Sequence, residues 1–457
     1  MYNAALSFHF VGIGGTGMSG LAEIMLSLGF KVSGSDQKQT AVTERLASLG
    51  AYVTYGHRKE NLPEHTSTLV YSSAVPMDSA ELVEARRRGI PVIRRAEVLA
   101  ELMRLKFGVA VAGAHGKTTT TSMTAAILEH ANLDPTIVIG GQVKSTGTGG
   151  KSGKGQFLVA ESDESDRSFL LLKPTVAVVT NIDNEHLSAY GSFDDLKNAF
   201  EQFVESVPFY GLAVLCIDDM HVRSLAEKIT KRKVTYGVSP DAMIQARNIR
   251  PGIGGTRYEV WVKNEKFAEI TLPMFGTHIA INSLASIAVA MEFGVDATII
   301  QEALKTFSGV ARRLEISGTK RGVTVMNDYG HHPTEVMATI RAIKEGFGSE
   351  LRSLTVIFQP HRYTRTKECF AQFLSAFEHA DQLLIMDIYS AGEAPIAGIS
   401  SQVLCEAIHH ENKKHLAGSE LSLIASSVVA NAASGDVILC LGAGSVGSLP
   451  QKVLEVL

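Results

Sequence analysis

The stretch that most restricts what this 457-residue chain can become is FGVAVAGAHGKTTTT, residues 107–121. An apolar strand, residues 109–112, runs into a turn bounded by Gly113 and Gly116, and Lys117 with four threonines then opens a helix carrying Met123, Ile127 and Leu128. A strand that ends in glycines and restarts as a helix aims backbone N–H groups at one point, which suits anionic oxygen. Lys117 adds a cation for the outer phosphates and Thr118 a hydroxyl for magnesium. The spacing is GxxGKT; the first glycine of the longer GxxxxGK[ST] loop would fall on Val111. The stretch is read as a phosphate loop.

The length suggests about three domains. Hydrophobic residues make up 45% and charged residues 20%, the balance of a folded globular protein rather than a disordered chain. A net charge of −4 offers nothing to draw nucleic acid or a membrane surface. Cys216, Cys369, Cys405 and Cys440 form no CxxC, so neither a zinc ribbon nor a disulfide framework is expected. The start, MYNAALSFHFVGIGG, lacks a basic n-region and leads directly into a strand and turn, so the reading is a cytoplasmic protein without a signal peptide. Residues 279–295 are apolar but broken by Asn282, Ser283, Ser286 and Glu292, which predicts a buried helix rather than a membrane span.

Residues 6–36 read as strand, glycine turn, helix and strand. Gly12, Gly14 and Gly17 form GxGxxG, and Asp36 follows at the distance at which an acidic residue meets a ribose hydroxyl. The physics asks only for a diphosphate at a helix N-terminus, so NAD and a UDP-sugar both satisfy it. In the second domain, FLVAE places Glu161 at a strand end, where phosphate-loop folds hold magnesium, and Asp163, Glu164 and Asp166 follow. TNIDNEH delivers Asp183, Asn184, Glu185 and His186 to the same edge, with His186 favoured as a metal or substrate ligand. The glycine-, serine- and lysine-rich residues 140–156 predict an exposed loop without chemistry. Residues 244–275 alternate as an antiparallel ribbon, and His278 and Asn282, four apart on one helix face, suit a nucleotide base.

Beyond GVARRLEI the alternation of strands and helices restarts, with helices expected at 334–347 and 366–378. NDYGHHPTE puts Asp328, Tyr329, His331 and His332 at one strand-to-helix turn, and FQPHRYTRT puts His361, Arg362 and Arg365 at another. The two arginines, three apart, make a site for a small carboxylate or phosphate. Gly442, Gly444 and Gly447 repeat GxGxxG too near the end for another βαβ unit and predict a tight turn into the last helix. The fold class is α/β in three domains: a Rossmann-like N-terminal domain, 1–106; a central P-loop ATPase-type α/β domain with an antiparallel ribbon, 107–311; and a C-terminal Rossmann-like α/β domain, 312–457.

With GIGGTGMSG, GAHGKTTTT, ESDESDRSF, TNIDNEH, ARRLE, NDYGHHPTE and FQPHRYTRT in this order over essentially the whole chain, the sequence resembles the Mur ligases, ATP-dependent amide synthases of peptidoglycan precursor assembly. The resemblance implies a UDP-sugar in the first domain, ATP and Mg2+ (or Mn2+) in the second and an amino acid in the third. Carried over residue by residue, the UDP-sugar side is Gly14, Gly15, Thr16, Gly17, Met18 and Ser19, with Asp36, Ser72 and Ser73. The nucleotide side is Gly113, Ala114, His115, Gly116, Lys117, Thr118 and Thr119, with His278, Asn282, Arg313 and Asp328. Thr118, Glu161 and His186 become metal positions, and Tyr329, His331, His361, Arg362 and Arg365 the amino-acid side. Lys117, Glu161, His186, Arg362 and Arg365 are the residues expected to carry catalysis.

Ala114 stands where the family's loop usually has threonine, and Asn327 and Ser445 where aspartates are usual. Phe200 holds the position of the carbamylated lysine of later-acting relatives, which agrees with the branch that adds alanine to UDP-N-acetylmuramate; the tripeptide-adding salvage branch is the alternative. The implied reaction activates the muramate carboxylate as an acyl phosphate, which the amine of L-alanine then attacks. The implied partners are those two small molecules, without nucleic acid or membrane, in a monomer or homodimer. A nicotinamide oxidoreductase would explain GxGxxG and Asp36 but leave Lys117 idle. A phosphate-loop switch or transport ATPase would explain the loop but not the converging arginines.

Overall fold

Short apolar strands alternating with helices need both faces of a sheet covered, and the chain meets this need with three sheets. A computed structural model describes residues 6–72, 75–140, 149–185, 187–418 and 420–457. The first sheet holds β1 (Ser7–Val11), β2 (Lys31–Asp36), β3 (Tyr52–Tyr55), β4 (Thr68–Tyr71) and β5 (Val92–Arg94) in the order β3-β2-β1-β4-β5. All its pairings are parallel. The strand order reverses between β1 and β4, and the crevice beyond their carboxyl ends is where the glycine turn lies.

One face of β1 buries His9 completely. Its Nδ1 is 2.9 Å from Ser33 Oγ and its Nε2 is 4.0 Å from Glu81 Oε2, which in turn accepts a 2.7 Å hydrogen bond from Ser35. Burial, with His57 nearby, lowers the His9 pKa to about 4.

The second sheet contains β6 (Phe107–Ala112), β7 (Thr136–Val138), β8 (Gly150–Lys151), β9 (Phe157–Glu161), β10 (Val176–Val179), β11 (Leu212–Cys216) and β12 (Lys233–Gly237). The ribbon of β13 (Ile244–Gly252), β14 (Gly255–Val262) and β15 (Glu265–Leu272) extends it, and the order is β15-β14-β13-β12-β11-β10-β6-β9-β7-β8. β6 lies between β9 and β10, with Val111 opposite Glu161 and Ala112 opposite Val179. The third sheet comprises β16 (Glu315–Lys320), β17 (Val323–Asp328), β18 (Ser353–Phe358), β19 (Gln382–Met386), β20 (Lys413–Leu416) and β21 (Asp436–Leu441), ordered β16-β17-β21-β18-β19-β20. Only its edge strand β16 is antiparallel. Asp328 and Phe358 both pair with Leu441, so the two histidine-bearing turns leave one edge of this sheet.

The chain divides into two compact units, one of Met1–Arg247, Glu259–Ile270 and Ile281–Ser308, the other of Asn248–Tyr258, Thr271–Ala280 and Gly309–Leu457. Among the described residues no helix is long and apolar enough to cross a membrane. The four cysteines are buried free thiols.

Two expectations change. Residues 140–156 are not simply an exposed loop: β8 pairs antiparallel with β7, and Gly149, Gly150 and Gly153 are buried. The reason is a close approach, since a Cβ on Gly20 would sit 2.9 Å from the Gly150 nitrogen. Residues 141–148 of that stretch lie outside the described residues. The helix expected at 366–378 arrives as two short ones, Tyr363–Glu368 and Phe370–Phe373, because Cys369 (φ −96°, ψ 11°) leaves the helical conformation between them.

Gly20→Ala is expected to cost about 1–3 kcal/mol by forcing the helix Thr16–Ser27, which carries it, away from β8, read as a lower denaturation midpoint. Because the folded pKa of His9 lies below 6.5, the unfolded chain binds the proton first as pH falls. The contribution of neutral His9 is therefore intact above pH 6.5 and is lost toward pH 4, by up to about 3 kcal/mol. His9→Gln should flatten the fall in melting temperature across that window in calorimetry, and an unchanged slope would assign the acid sensitivity elsewhere.

Candidate active site

β6 ends at Ala112, and the next residues turn only because two of them lack side chains. Gly113 has φ 135° and Gly116 φ 82°, both left-handed. A Cβ on Gly113 would collide with Thr180 Oγ1, and one on Gly116 would sit 2.7 Å from Asn282 Nδ2. Asn282, expected near the nucleotide, thus lies over the loop. The end of β10 presets the turn: Ala114 N donates to Asn181 O (3.1 Å) and His115 N to Asn181 Oδ1 (2.8 Å). Asn181 Nδ2 (3.0 Å) and Thr180 Oγ1 (2.7 Å) donate back to the His115 carbonyl. The helix Lys117–His130 starts at Gly116, and the N–H groups of a first turn have no acceptor within their own helix. An anion is what such a terminus accepts.

Lys117 Nζ donates to Gly113 O (2.6 Å), Ala114 O (3.1 Å) and Glu164 Oε1 (2.8 Å). Burial alone would lower its pKa, but Glu164, Glu161 and Asp163 outweigh burial and raise it, so the side chain stays cationic. Thr118 Oγ1 donates to both carboxylate oxygens of Glu161 (3.0 and 3.1 Å), and Gly140 N donates to Glu161 Oε2 (2.8 Å). A hydroxyl beside a carboxylate is a hard-oxygen pair of the kind magnesium takes, so these residues fit that ion. His115 Nε2 lies 2.9 Å from Asp183 Oδ2. His186 lies outside the described residues. Thr119 is buried behind the loop.

In the first domain, Gly15 (ψ 144°) caps the helix Thr16–Ser27. Gly14 N donates to Asp36 Oδ2 at 2.8 Å, and a Cβ on Gly14 would sit 2.9 Å from that oxygen. Asp36, expected to meet a ribose, therefore uses one oxygen to shape the glycine turn. The side chain of Met18 enters the hydrophobic core and that of Ser19 is buried. Ser72 follows β4, and Ser73 lies outside the described residues. Arg95, which sequence reasoning passed over, opens the helix Arg95–Arg104; a Cβ on Gly17 would be 3.0 Å from its Nη1.

In the second unit, Asp328 accepts from Leu314 N and Gly330 N at 2.7 Å each and from Thr339 Oγ1 at 3.3 Å. Burial raises its pKa, opposed by Arg313. Its carboxylate thus fastens its own turn, a duty the expected nucleotide role did not include. Arg312 and Arg313 lie over the Tyr329 ring at 4.9 and 5.2 Å. His331 is 5.6 Å from the His361 ring, which stacks on Tyr389 at 5.7 Å and stands 3.4 Å from Arg365 Nη1. Burial first, then His331, Arg365 and Arg362, lower the His361 pKa to about 4. Arg362 has φ 68° and donates its N–H to Tyr389 O at 2.8 Å. Tyr329, His331, His361 and Arg365 therefore form one continuous cluster, with Arg362 held beside it in a conformation uncommon for a residue with a side chain. His278, in this unit, is buried, which lowers its pKa to about 4.

Sequence reasoning also named Glu164 without a role and missed Asn181 and Tyr389. Their partners are distant in sequence: Lys117 and Glu164 are 47 positions apart, His115 and Asn181 66.

Three family models match the chain in order: "Mur ligase family, catalytic domain" over residues 7–107, "Mur ligase middle domain" over 111–290 and "Mur ligase, glutamate ligase domain" over 312–444. The chain is 50% identical over 448 residues to a UDP-N-acetylmuramate–L-alanine ligase of Geobacter sulfurreducens, covering 98% of this chain and 96% of that one. It is 48% identical over 459 residues to the ligase of the same name from Pelobacter propionicus, covering 100% and 99%. Among solved structures, a UDP-N-acetylmuramate-alanine ligase of Thermotoga maritima is similar with a TM-score of 0.82 at 28% identity, covering 98% of each chain. With the phosphate loop, the glycine turn and the arginine cluster in place, the chain belongs to the Mur ligase family.

Proposed function

We propose that this chain is an ATP-dependent ligase that joins L-alanine to the carboxylate of UDP-N-acetylmuramate in peptidoglycan precursor synthesis. The observation that carries the reading is about half identity, over nearly the full length of both chains, to relatives named for that reaction. Residues 1–106 take the UDP-sugar, residues 107–311 ATP and magnesium, and residues 312–457 the amino acid. The protein works in the cytoplasm on small molecules, as a monomer or homodimer, without nucleic acid or membrane.

A carboxylate is a poor acyl donor because its leaving group would be oxide. Transfer of the γ-phosphoryl of ATP to the muramate carboxylate replaces that leaving group by phosphate. Lys117 and the N–H groups opening its helix stabilise charge on the phosphoryl oxygens during transfer. Thr118 and Glu161 would hold magnesium, which when bound would neutralise charge on the phosphate oxygens. His186 is retained as a candidate metal or substrate ligand, and His278, Asn282, Arg313 and Asp328 as nucleotide-side residues. Arg362 and Arg365 hold the carboxylate of alanine, while His361, neutral down to about pH 4, adds no charge beside them. Fixing the amino acid at one end lets its neutral amine meet the acyl phosphate, an advantage of orientation.

Phosphate release from ATP and magnesium is expected only when UDP-N-acetylmuramate and L-alanine are both present, with a UDP-sugar product heavier by one alanyl residue in mass analysis. Release without them would make the chain an ATPase, and turnover with a tripeptide but not L-alanine would place it in the salvage branch. Arg365→Ala should raise KM for alanine about tenfold or more while that for ATP moves little, and equal changes would remove Arg365 from the alanine site. Glu164→Ala leaves the Lys117 ammonium, 15% exposed, without its buried carboxylate and should cost about 3–5 kcal/mol in denaturant unfolding.

A further inference from the structure

Arg95 stands where its charge is unwelcome. Its guanidinium lies against the first turn of the helix Thr16–Ser27, with Nη1, Cδ and Cζ all 3.0–3.2 Å from where a Gly17 Cβ would be. That turn is the positive end of a helix dipole, so a cation beside it is repelled until an anion arrives. The carboxylate nearest to hand is loose: Arg95 Nη2 is 3.8 Å from Asp163 Oδ2, beyond hydrogen-bond reach, with side chains 23% and 45% exposed. The neighbouring Arg94 is turned to the Tyr71 hydroxyl instead.

Asp163 belongs to the acidic turn that prepares the phosphate loop. Its Oδ1 is taken by Ser165, through N–H at 3.0 Å and Oγ at 2.6 Å, which leaves Oδ2 toward Arg95. Glu161 and Glu164, on either side of it in the chain, hold Thr118 and Lys117. One guanidinium is thus placed between the glycine turn of the first domain and the carboxylates serving the second.

We propose that Arg95 is a shared cation: it grips the diphosphate of the UDP-sugar when that site fills, gives up Asp163, and so leaves the acidic turn more negative and more attractive to the magnesium that accompanies ATP. The inference rests on the placement of the UDP-sugar at the glycine turn given above. It makes Arg95 a binding residue for the diphosphate and Asp163 a positioning residue that reports occupancy of one site to the other. The exchange needs no covalent step, only the preference of a guanidinium for a doubly charged diphosphate at hydrogen-bond distance over a carboxylate at 3.8 Å.

The test is calorimetric titration of UDP-N-acetylmuramate, and of a non-hydrolysable ATP analogue with magnesium in the presence and absence of that sugar, into wild type, Arg95→Ala, Asp163→Asn and Gly15→Asp. Arg95→Ala should weaken sugar binding about tenfold or more. Asp163→Asn, which removes the competitor, should tighten it about two- to tenfold, a direction that structural damage does not produce. Wild type should bind the analogue about fivefold tighter or more with sugar present, and in Asp163→Asn that ratio should fall to about one. Normal sugar binding by Arg95→Ala, or an unchanged ratio in Asp163→Asn, overturns the proposal. Gly15→Asp places a carboxylate at a helix cap that favours aspartate and should expel the diphosphate. If Gly15→Asp binds the sugar normally, the placement of the UDP-sugar falls and the inference with it; if only Gly15→Asp loses binding, the placement stands and the role of Arg95 falls.

Discussion

Everything at the phosphate loop depends on the register of three parallel strands. β6 lies between β9 and β10, and the pairing of Val111 with Glu161 and of Ala112 with Val179 brings the loop, the acidic turn and Asn181 to one edge. These strands are buried on both faces, so a slip by one residue would turn Glu161 toward the core and an apolar neighbour toward the loop. Hydrophobic burial thereby sets the position of polar groups to within hydrogen-bond tolerance, without the polar groups having to supply the binding energy.

The charges at that edge are placed against their own solvation. A largely covered Lys117 opposite a buried Glu164 is weak evidence for stability, since desolvating both ions costs about as much as their attraction returns. What the arrangement yields is a cation that remains charged and already oriented over the glycine turn, so little reorganisation remains when phosphate arrives. The second unit follows the same logic with different means. Arg362 is kept at φ 68° by its hydrogen bond to the Tyr389 carbonyl, and His361 is kept neutral by burial and neighbouring cations. Local strain and a lowered pKa are tolerated there because a packed sheet edge over-determines both.

Asp36 and Asp328 show how a carboxylate at a strand end divides its duties. Both end a strand and precede a turn, the position from which α/β folds address ligands. In the structure each accepts backbone N–H groups of its own surroundings, Gly14 in one case, Leu314 and Gly330 in the other. Such a carboxylate makes the ligand surface by holding the turn that presents it. Sequence position alone does not separate that duty from direct contact, because both require the same residue at the same strand end.

The sequence alone determined the parts whose physics is local. Glycines at 113 and 116, a lysine after them, and a helix-forming run thereafter are enough to specify an anion-binding turn, because backbone conformation and the first turn of a helix involve only near neighbours. The alternation of apolar strands with helices likewise specified an α/β fold built on three sheets. Only the tertiary structure decided the counter-ions: Glu164 for Lys117, Asn181 for the loop, Tyr389 beneath His361, and Arg95 over Gly17. A buried charge takes whichever partner the packed sheets bring to it. That choice depends on desolvation and distance across strands tens of residues apart, and no spacing along the chain records it.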